Sequence, residues 1–314
     1  MSPARRVVLD CDPGHDDAMA ILLAAASPAI RLEAITIVAG NQTLEKTALN
    51  ARRVCTVAGI LDVPIAAGAD RPLARPPEVA EEIHGASGLD GPAWGEVRVP
   101  LDSRPAIELM GELAAAGPEP LTVVATGPLT NVAALLRADP GLGTRLERIV
   151  VMGGAIGLGN WTPSAEFNIY VDPEAADEVI RSGVPVTLVP LEVTHQALAT
   201  DAVMERISAL GSSVARMATE LMRFFADTYE RVFGFESPAV HDPCAVAAVI
   251  EPGVVRTRRV NVAIDVDSEL SRGRTVCDVH GMTGRPPNVD LGVDLDRERF
   301  WDLMIGALAT YRDA

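Results

Sequence analysis

Val7-Val8-Leu9-Asp10-Cys11-Asp12-Pro13-Gly14-His15-Asp16-Asp17-Ala18-Met19-Ala20-Ile21 changes character halfway along. Its first half is a β-branched, apolar run, the pattern of a strand buried on both faces. Its second half sets Ala, Met and Ile behind two acidic residues, the pattern of a helix whose N-terminus favours negative charge. Pro13 and Gly14 supply the turn between them. A strand that passes through a tight turn straight into a helix opens a βαβ unit.

Outward from this stretch the alternation repeats. Apolar runs at 32–39, 63–68, 121–126, 148–153 and 186–191 join 6–11 as expected strands, and helices are expected at 17–26, 44–58, 105–116, 131–138 and 173–182. A long helical pattern at 200–229 breaks at Gly211, a shorter one follows at 242–250, and three short strands at 259–267, 274–279 and 289–294 precede a closing helix at 297–311. This order predicts an α/β fold: a doubly wound, mostly parallel central sheet flanked by helices, with a small late β-rich addition. At 314 residues and 48% hydrophobic, the chain can bury a large core, and one domain spanning 1–314 is expected.

In such a sheet, ligands sit beyond the carboxyl ends of the strands, where the four aspartates fall. Asp10 and Asp12 alternate with Cys11, so they share one side of the strand. A helix cap or a solvated turn accounts for any one of the four. All four together repel one another unless a cation neutralises them, and oxygen donors alone suit a hard ion such as Ca²⁺ or Mg²⁺. Cys11, Cys55, Cys244 and Cys277 form no CxxC pair, so reduced thiols are expected and a thiolate zinc site is not.

The net charge of −16 comes from 43 acidic against 27 basic residues, of which Lys46 is the one lysine. Such a chain repels polyanions, which argues against nucleic acid and for a cation or a small neutral molecule as partner. Residues 1–6 lack the apolar segment of a signal peptide, and no run approaches the ~18 apolar residues of a membrane span. A cytoplasmic chain with no membrane partner is expected.

The run Asp10 to Ala18, DCDPGHDDA, resembles the opening signature of the inosine-uridine preferring nucleoside hydrolase family. Further blocks follow in the family's order: Ala39-Gly40-Asn41-Gln42-Thr43, Ile83-His84-Gly85, Ala125-Thr126-Gly127-Pro128-Leu129-Thr130-Asn131, Val151-Met152-Gly153-Gly154, Ala165-Glu166-Phe167-Asn168 and His241-Asp242-Pro243-Cys244. The tail from Gly273 to Cys277 fits as well. The resemblance implies a Ca²⁺ ion held by the carboxylates of Asp12, Asp17 and Asp242 and the backbone carbonyl of Thr126, with Asp10 in support. It also implies that Asp12 takes the proton of the attacking water. Ribose contacts fall on Asp16, Asn41, Met152, Asn160, Glu166, Asn168 and Asp242, and base-side contacts on His84, Phe167, Tyr229 and His241. The stretches from His84 to Pro92 and from Gly159 to Pro163 look most like bacterial pyrimidine-preferring ribonucleoside hydrolases. Uridine and cytidine are therefore the expected substrates, with inosine slower, and a homotetramer is the implied assembly.

Breaking an N-glycosidic bond leaves cation-like character at C1′ and negative charge on the base. His241, as an imidazolium, is the expected donor to the leaving base, and Tyr229 is a second. A carboxylate at Glu166 near the ribose 5′-hydroxyl would repel a 5′-phosphate, so nucleosides rather than nucleotides are expected as substrates. His15 and His195 read as structural, and Phe224 and Phe225 as helix core. Two rival readings carry less. A HAD-type Mg²⁺ phosphatase needs a downstream lysine, and Lys46 lies early in the chain. A calcium-dependent nucleoside or sugar sensor would have no use for Asp12 and His241 as proton carriers.

Overall fold

The computed structural model describes residues 4–313. Nine strands, β1 (Arg5–Cys11), β2 (Ile30–Ile37), β3 (Ile65–Ala67), β4 (Leu121–Ala125), β5 (Leu146–Met152), β6 (Val186–Val189), β7 (Val255–Ile264), β8 (Thr275–Asp278) and β9 (Val289–Leu295), form one sheet in the order β3-β2-β1-β4-β5-β6-β9-β7-β8. Every pairing from β3 to β9 is parallel, while β7 runs antiparallel to both β9 and β8. The late β-rich segment thus extends the main sheet, with β9 seated beside β6.

Helices cover both faces, as the apolar strands require. One face packs against His15–Ala26, Ser213–Phe233, Asp242–Ile250 and Arg297–Leu308, the other against Ala106–Ala115, Thr130–Ala138 and Pro173–Arg181. Helix His15–Ala26 is buried nearly all round, with Ile21, Leu22 and Leu23 at most 1% exposed. Each such side chain stabilises the fold by roughly 1.5–3 kcal/mol, so the first turn of this helix, which carries Asp16 and Asp17, rests on a rigid base.

Several boundaries differ from the expected ones for physical reasons. β3 keeps only three residues because it is an edge strand, paired on one side to β2. β7 starts at Val255, ahead of the expected start at Arg259, because Arg256, Thr257 and Arg258 show no apolar strand pattern. Residues 256–259 are exposed on both faces of the strand, where Arg256 pairs with Asp294 at 3.2 Å and Arg259 with Asp290 at 3.4 Å across the β7–β9 ladder. The long helical pattern divides into Asp201–Ser208 and Ser213–Phe233 around Gly211, whose φ of 73° suits glycine. The helices Glu81–His84, Phe167–Val171 and Leu191–Thr194 are too short to show a 3.6-residue period in the sequence. Among the described residues no helix is long and apolar enough to cross a membrane.

Candidate active site

The carboxyl ends of β1, β2, β4 and β5 deliver Asp12, Asn41, Thr126 and Met152 to one rim of the sheet. The N-termini of helices His15–Ala26 and Asp242–Ile250 bring Asp16, Asp17 and Asp242 to the same place. One carboxylate oxygen from each of Asp16, Asp17 and Asp242 lies within 4.8 Å of the others, and all three residues are buried.

Each acid is held differently. Asp17 accepts from Thr126 Oγ1 at 2.8 Å, from Gly14 N at 3.0 Å and from Asn41 Nδ2 at 3.1 Å. Asp16 accepts from the backbone N–H of His241 at 3.3 Å. Asp12 accepts from the backbone N–H of Asn41 at 2.7 Å through Oδ2, while its Oδ1 is buried with no partner. Backbone presses on Asp12 from both sides: a Cβ at Gly40 would sit 2.1 Å from Oδ2, and one at Gly127 would sit 2.6 Å from Oδ1. Asp10 lies beneath, accepting from Thr36 Oγ1 at 2.6 Å and Asn131 Nδ2 at 2.9 Å, with Oδ2 unpartnered.

Burial first, and neighbouring negative charge second, makes ionisation of this group costly. Asp16 is pushed up to about 7 by burial and the charge of Asp17, and Asp10 to about 7 by burial alone. Burial and the surrounding carboxylates hold Asp12 and Asp242 well above the usual carboxylate range. A cluster of hard oxygen donors that cannot all ionise unaided, with one orphaned oxygen beside it, fits a divalent cation.

The expected ligand trio was Asp12, Asp17 and Asp242, whereas the tightest group here has Asp16 in the place of Asp12. Asp12 stands against that group, close enough for its charge to raise Asp242. The Thr126 carbonyl, the expected fourth ligand, accepts from Asn168 Nδ2 at 2.8 Å and keeps a second lone pair.

Above the acids a cavity opens, lined on one side by Asn41, Met152, Asn160, Glu166 and Asn168. Glu166 is buried, not a solvated charge: it caps helix Phe167–Val171, accepting from Asn168 N at 2.9 Å, Ile169 N at 3.1 Å and Gly154 N at 2.9 Å. Burial pushes its carboxyl up to about 7. Asn160 Oδ1 fixes the same helix start by accepting from Phe167 N at 3.0 Å. The ring of Phe167 meets Trp161 edge-on at 4.9 Å.

The other side of the cavity is formed by His84, Phe225, Tyr229 and His241. The Tyr229 hydroxyl hydrogen-bonds Nε2 of His241, and Thr194 Oγ1 meets Nδ1 at 2.7 Å. Burial and nearby His195 lower His241 to about 3, which favours a neutral imidazole over the expected imidazolium. Burial and the charges of Asp16, Asp242 and Glu166 raise Tyr229 well above 10, which keeps its O–H intact. Phe225 is both core and cavity wall. Trp94 donates to Leu89 O and Trp301 packs on Phe300, and neither lines the cavity.

Of the residues expected at the site, Asp16, Asn41, His84, Thr126, Met152, Asn160, Glu166, Phe167, Asn168, Tyr229, His241 and Asp242 line one cavity, while Asp17 bonds Thr126, Asp12 bonds Asn41 and Asp10 bonds Thr36 and Asn131. Thr194 was missed, as were Thr36 and Asn131 in their role of holding Asp10. Asn131 stood inside a quoted block and could have been found there; Thr194 carries no local signal, because only the folded chain brings it to His241.

Residues 7–302 match the family described as inosine-uridine preferring nucleoside hydrolase. The chain is 47% identical over 306 residues to the pyrimidine-specific ribonucleoside hydrolase of Citrobacter koseri, covering 97% of this chain and 98% of the relative. Identity to the enzyme of the same description from Salmonella typhimurium is 46%, with the same coverage. Among solved structures, the purine-preferring ribonucleoside hydrolase of Gardnerella vaginalis superimposes with a TM-score of 0.91 at 30% identity, over 98% of this chain and 99% of that one. A plant nucleoside hydrolase gives 0.89 at 31% identity, with the same coverage.

Proposed function

Because the chain belongs to the inosine-uridine preferring nucleoside hydrolase family, we propose that it hydrolyses the N-glycosidic bond of pyrimidine ribonucleosides, uridine and cytidine first, to ribose and free base with the help of Ca²⁺. The observation that carries the reading is the buried Asp16–Asp17–Asp242 group at a cavity lined by Asn41, Asn160, Glu166, Asn168, Tyr229 and His241. The cation would be held by Asp17, Asp242, Asp12 and the Thr126 carbonyl, with Asp16 at its edge. Once bound, it supplies the positive charge that lets these acids ionise together and makes water easier to deprotonate.

Asp12 is the group suited to take that proton. Its Oδ1 has no other partner, and ionised neighbours raise its basicity. General-base help of this kind supplies about 10²–10⁴, roughly 3–5 kcal/mol, of the 8–23 kcal/mol that enzymes remove. The rest falls to positioning of the ribose by Asn41, Asn168, Glu166 and Asp16, and to the anionic floor that favours a cation-like sugar. At the far wall, Thr194 can donate to Nδ1 of His241 and Nε2 to the Tyr229 oxygen. The phenol hydrogen is then free to meet the leaving base. Such a relay works with neutral His241.

Identity of 45–47% to pyrimidine-specific enzymes across nearly the whole chain, against 30% to a purine-preferring one, supports the base preference. The reading extends to a cytoplasmic homotetramer that takes free nucleosides. A reducing-sugar assay over uridine, cytidine, inosine, adenosine and guanosine, with and without a chelator, tests it. Uridine and cytidine should release ribose fastest and only without the chelator. Equal rates in its presence, or a preference for purines, would reject it.

A further inference from the structure

We propose that His15 is a positioning residue for base recognition: it fixes His84 in the tautomer whose bare Nε2 faces the cavity as a hydrogen-bond acceptor. The proposal rests on the reading of His84 as a base-side residue. It concerns which hydrogen-bonding pattern the cavity selects.

His15 Nε2 lies 2.8 Å from the carbonyl oxygen of Asp90. A carbonyl only accepts, so this nitrogen carries a hydrogen. The ring is wholly buried, stacked within 5.3 Å of both Phe224 and Phe225 at interplanar angles of 3° and 5°, and no carboxylate bonds it. A neutral ring is the form that such surroundings favour. Its Nδ1 therefore has no hydrogen and must accept, and its partner at 3.1 Å is Nδ1 of His84. His84 consequently carries its hydrogen on Nδ1.

One contact pulls the other way. The backbone N–H of His15 points at the same His84 Nδ1, which would then have to accept, but at 3.4 Å. Satisfying it would oblige His15 Nδ1 to donate, and in a neutral ring that sets a bare nitrogen against the Asp90 carbonyl at 2.8 Å. The shorter contact wins.

His84 Nε2, on the opposite edge of the ring, makes no hydrogen bond to any described residue and is not among the fully enclosed polar atoms, while the residue lines the cavity. As a bare nitrogen it welcomes an N–H on the ligand and repels a lone pair. The N3–H of uracil and the exocyclic amine of cytosine are donors of the required kind. The pairing also ties recognition to the catalytic floor, because His15 immediately precedes Asp16 and Asp17.

Selective ¹⁵N labelling of the five histidines and long-range ¹H–¹⁵N correlation on the whole enzyme reads the tautomer directly. His84 should carry its proton on Nδ1 in the wild type and lose that preference in His15→Phe, which keeps the ring stack but can neither donate nor accept. In parallel, kcat/KM for uridine against 3-methyluridine reads the base contact. The methyl group's bulk is the same for both enzymes, so a change in the ratio reports the hydrogen bond. The ratio should fall about 10-fold or more in His15→Phe, chiefly through KM for uridine, and recover in part in His15→Gln, whose amide both donates and accepts. A wild-type His84 protonated on Nε2 overturns the proposal. The stated tautomer with an unchanged ratio leaves the His15–His84 relay standing but overturns the base-side placement of His84, and with it the specificity role.

Discussion

The Tyr229 hydroxyl and the His241 imidazole are hydrogen-bonded to each other within the cavity wall, and Thr194 closes the far side of the ring at 2.7 Å. Tyr229 comes from helix Ser213–Phe233 and His241 from the residue before helix Asp242–Ile250, so their pairing is a product of packing. Tyr229→Phe and His241→Phe should each lower kcat for uridine by about 10²–10³, and the double variant should lose little more, because the residues act as one unit. Substrates whose leaving group needs no proton, such as p-nitrophenyl riboside, should be far less affected. Equal losses on both substrate types would remove proton delivery from the roles of this pair.

Asp12 lies beside the Asp16–Asp17–Asp242 group and keeps an unpartnered oxygen. Asp12→Asn should reduce kcat by about 10²–10⁴ while Ca²⁺ binding, followed by calorimetry, weakens less than in Asp242→Asn. Comparable loss of Ca²⁺ affinity in the two variants would make Asp12 chiefly a ligand.

Acidity and stability are linked through the same floor. Asp10, Asp16 and Glu166 have folded pKa values of about 7 against ordinary values near 4. Between those limits the folded state binds more protons than the unfolded one, so stability from these groups is full below about pH 4 and is lost as pH rises through 7. In chelator, Tm should therefore fall between pH 5 and 8, and saturating Ca²⁺ should flatten that fall, stabilising most at the alkaline end. A metal-free Tm that rises over this range would contradict the assigned burial.

Glu166 faces the cavity from a helix cap. Wild-type enzyme should cleave uridine at least about 100-fold better than uridine 5′-monophosphate, and Glu166→Gln should narrow the gap at pH 8, where the carboxylate is charged. A gap of the same size in both proteins would trace the discrimination to shape alone.

The strand-turn-helix at Asp10 to Asp17 was readable because strand period, turn residues and charge all change within a few positions. Asp16 and Asp17 at a helix start and the parallel sheet followed from it, while the helix start at Asp242 was readable from its own pattern at 242–250. What stayed hidden depends on distance in space. Thr194 meets His241, Thr36 and Asn131 hold Asp10, and burial favours a neutral His241; none of these leaves a local pattern. Phe225 reads as helix core by periodicity, and burial does not distinguish a core ring from one that also walls a cavity. The exposed run from Arg256 to Arg258 hid the start of β7 because exposed charged strands look like loops until their partners on β9 are known.

The backbone N–H of His241 reaches Asp16 across 225 positions of sequence. During synthesis the first aspartates emerge early, yet the element that completes their cage arrives only after about three quarters of the polypeptide has been made. Until then, no nascent fragment can assemble the hydrolytic centre, and the acids must remain protonated or solvated.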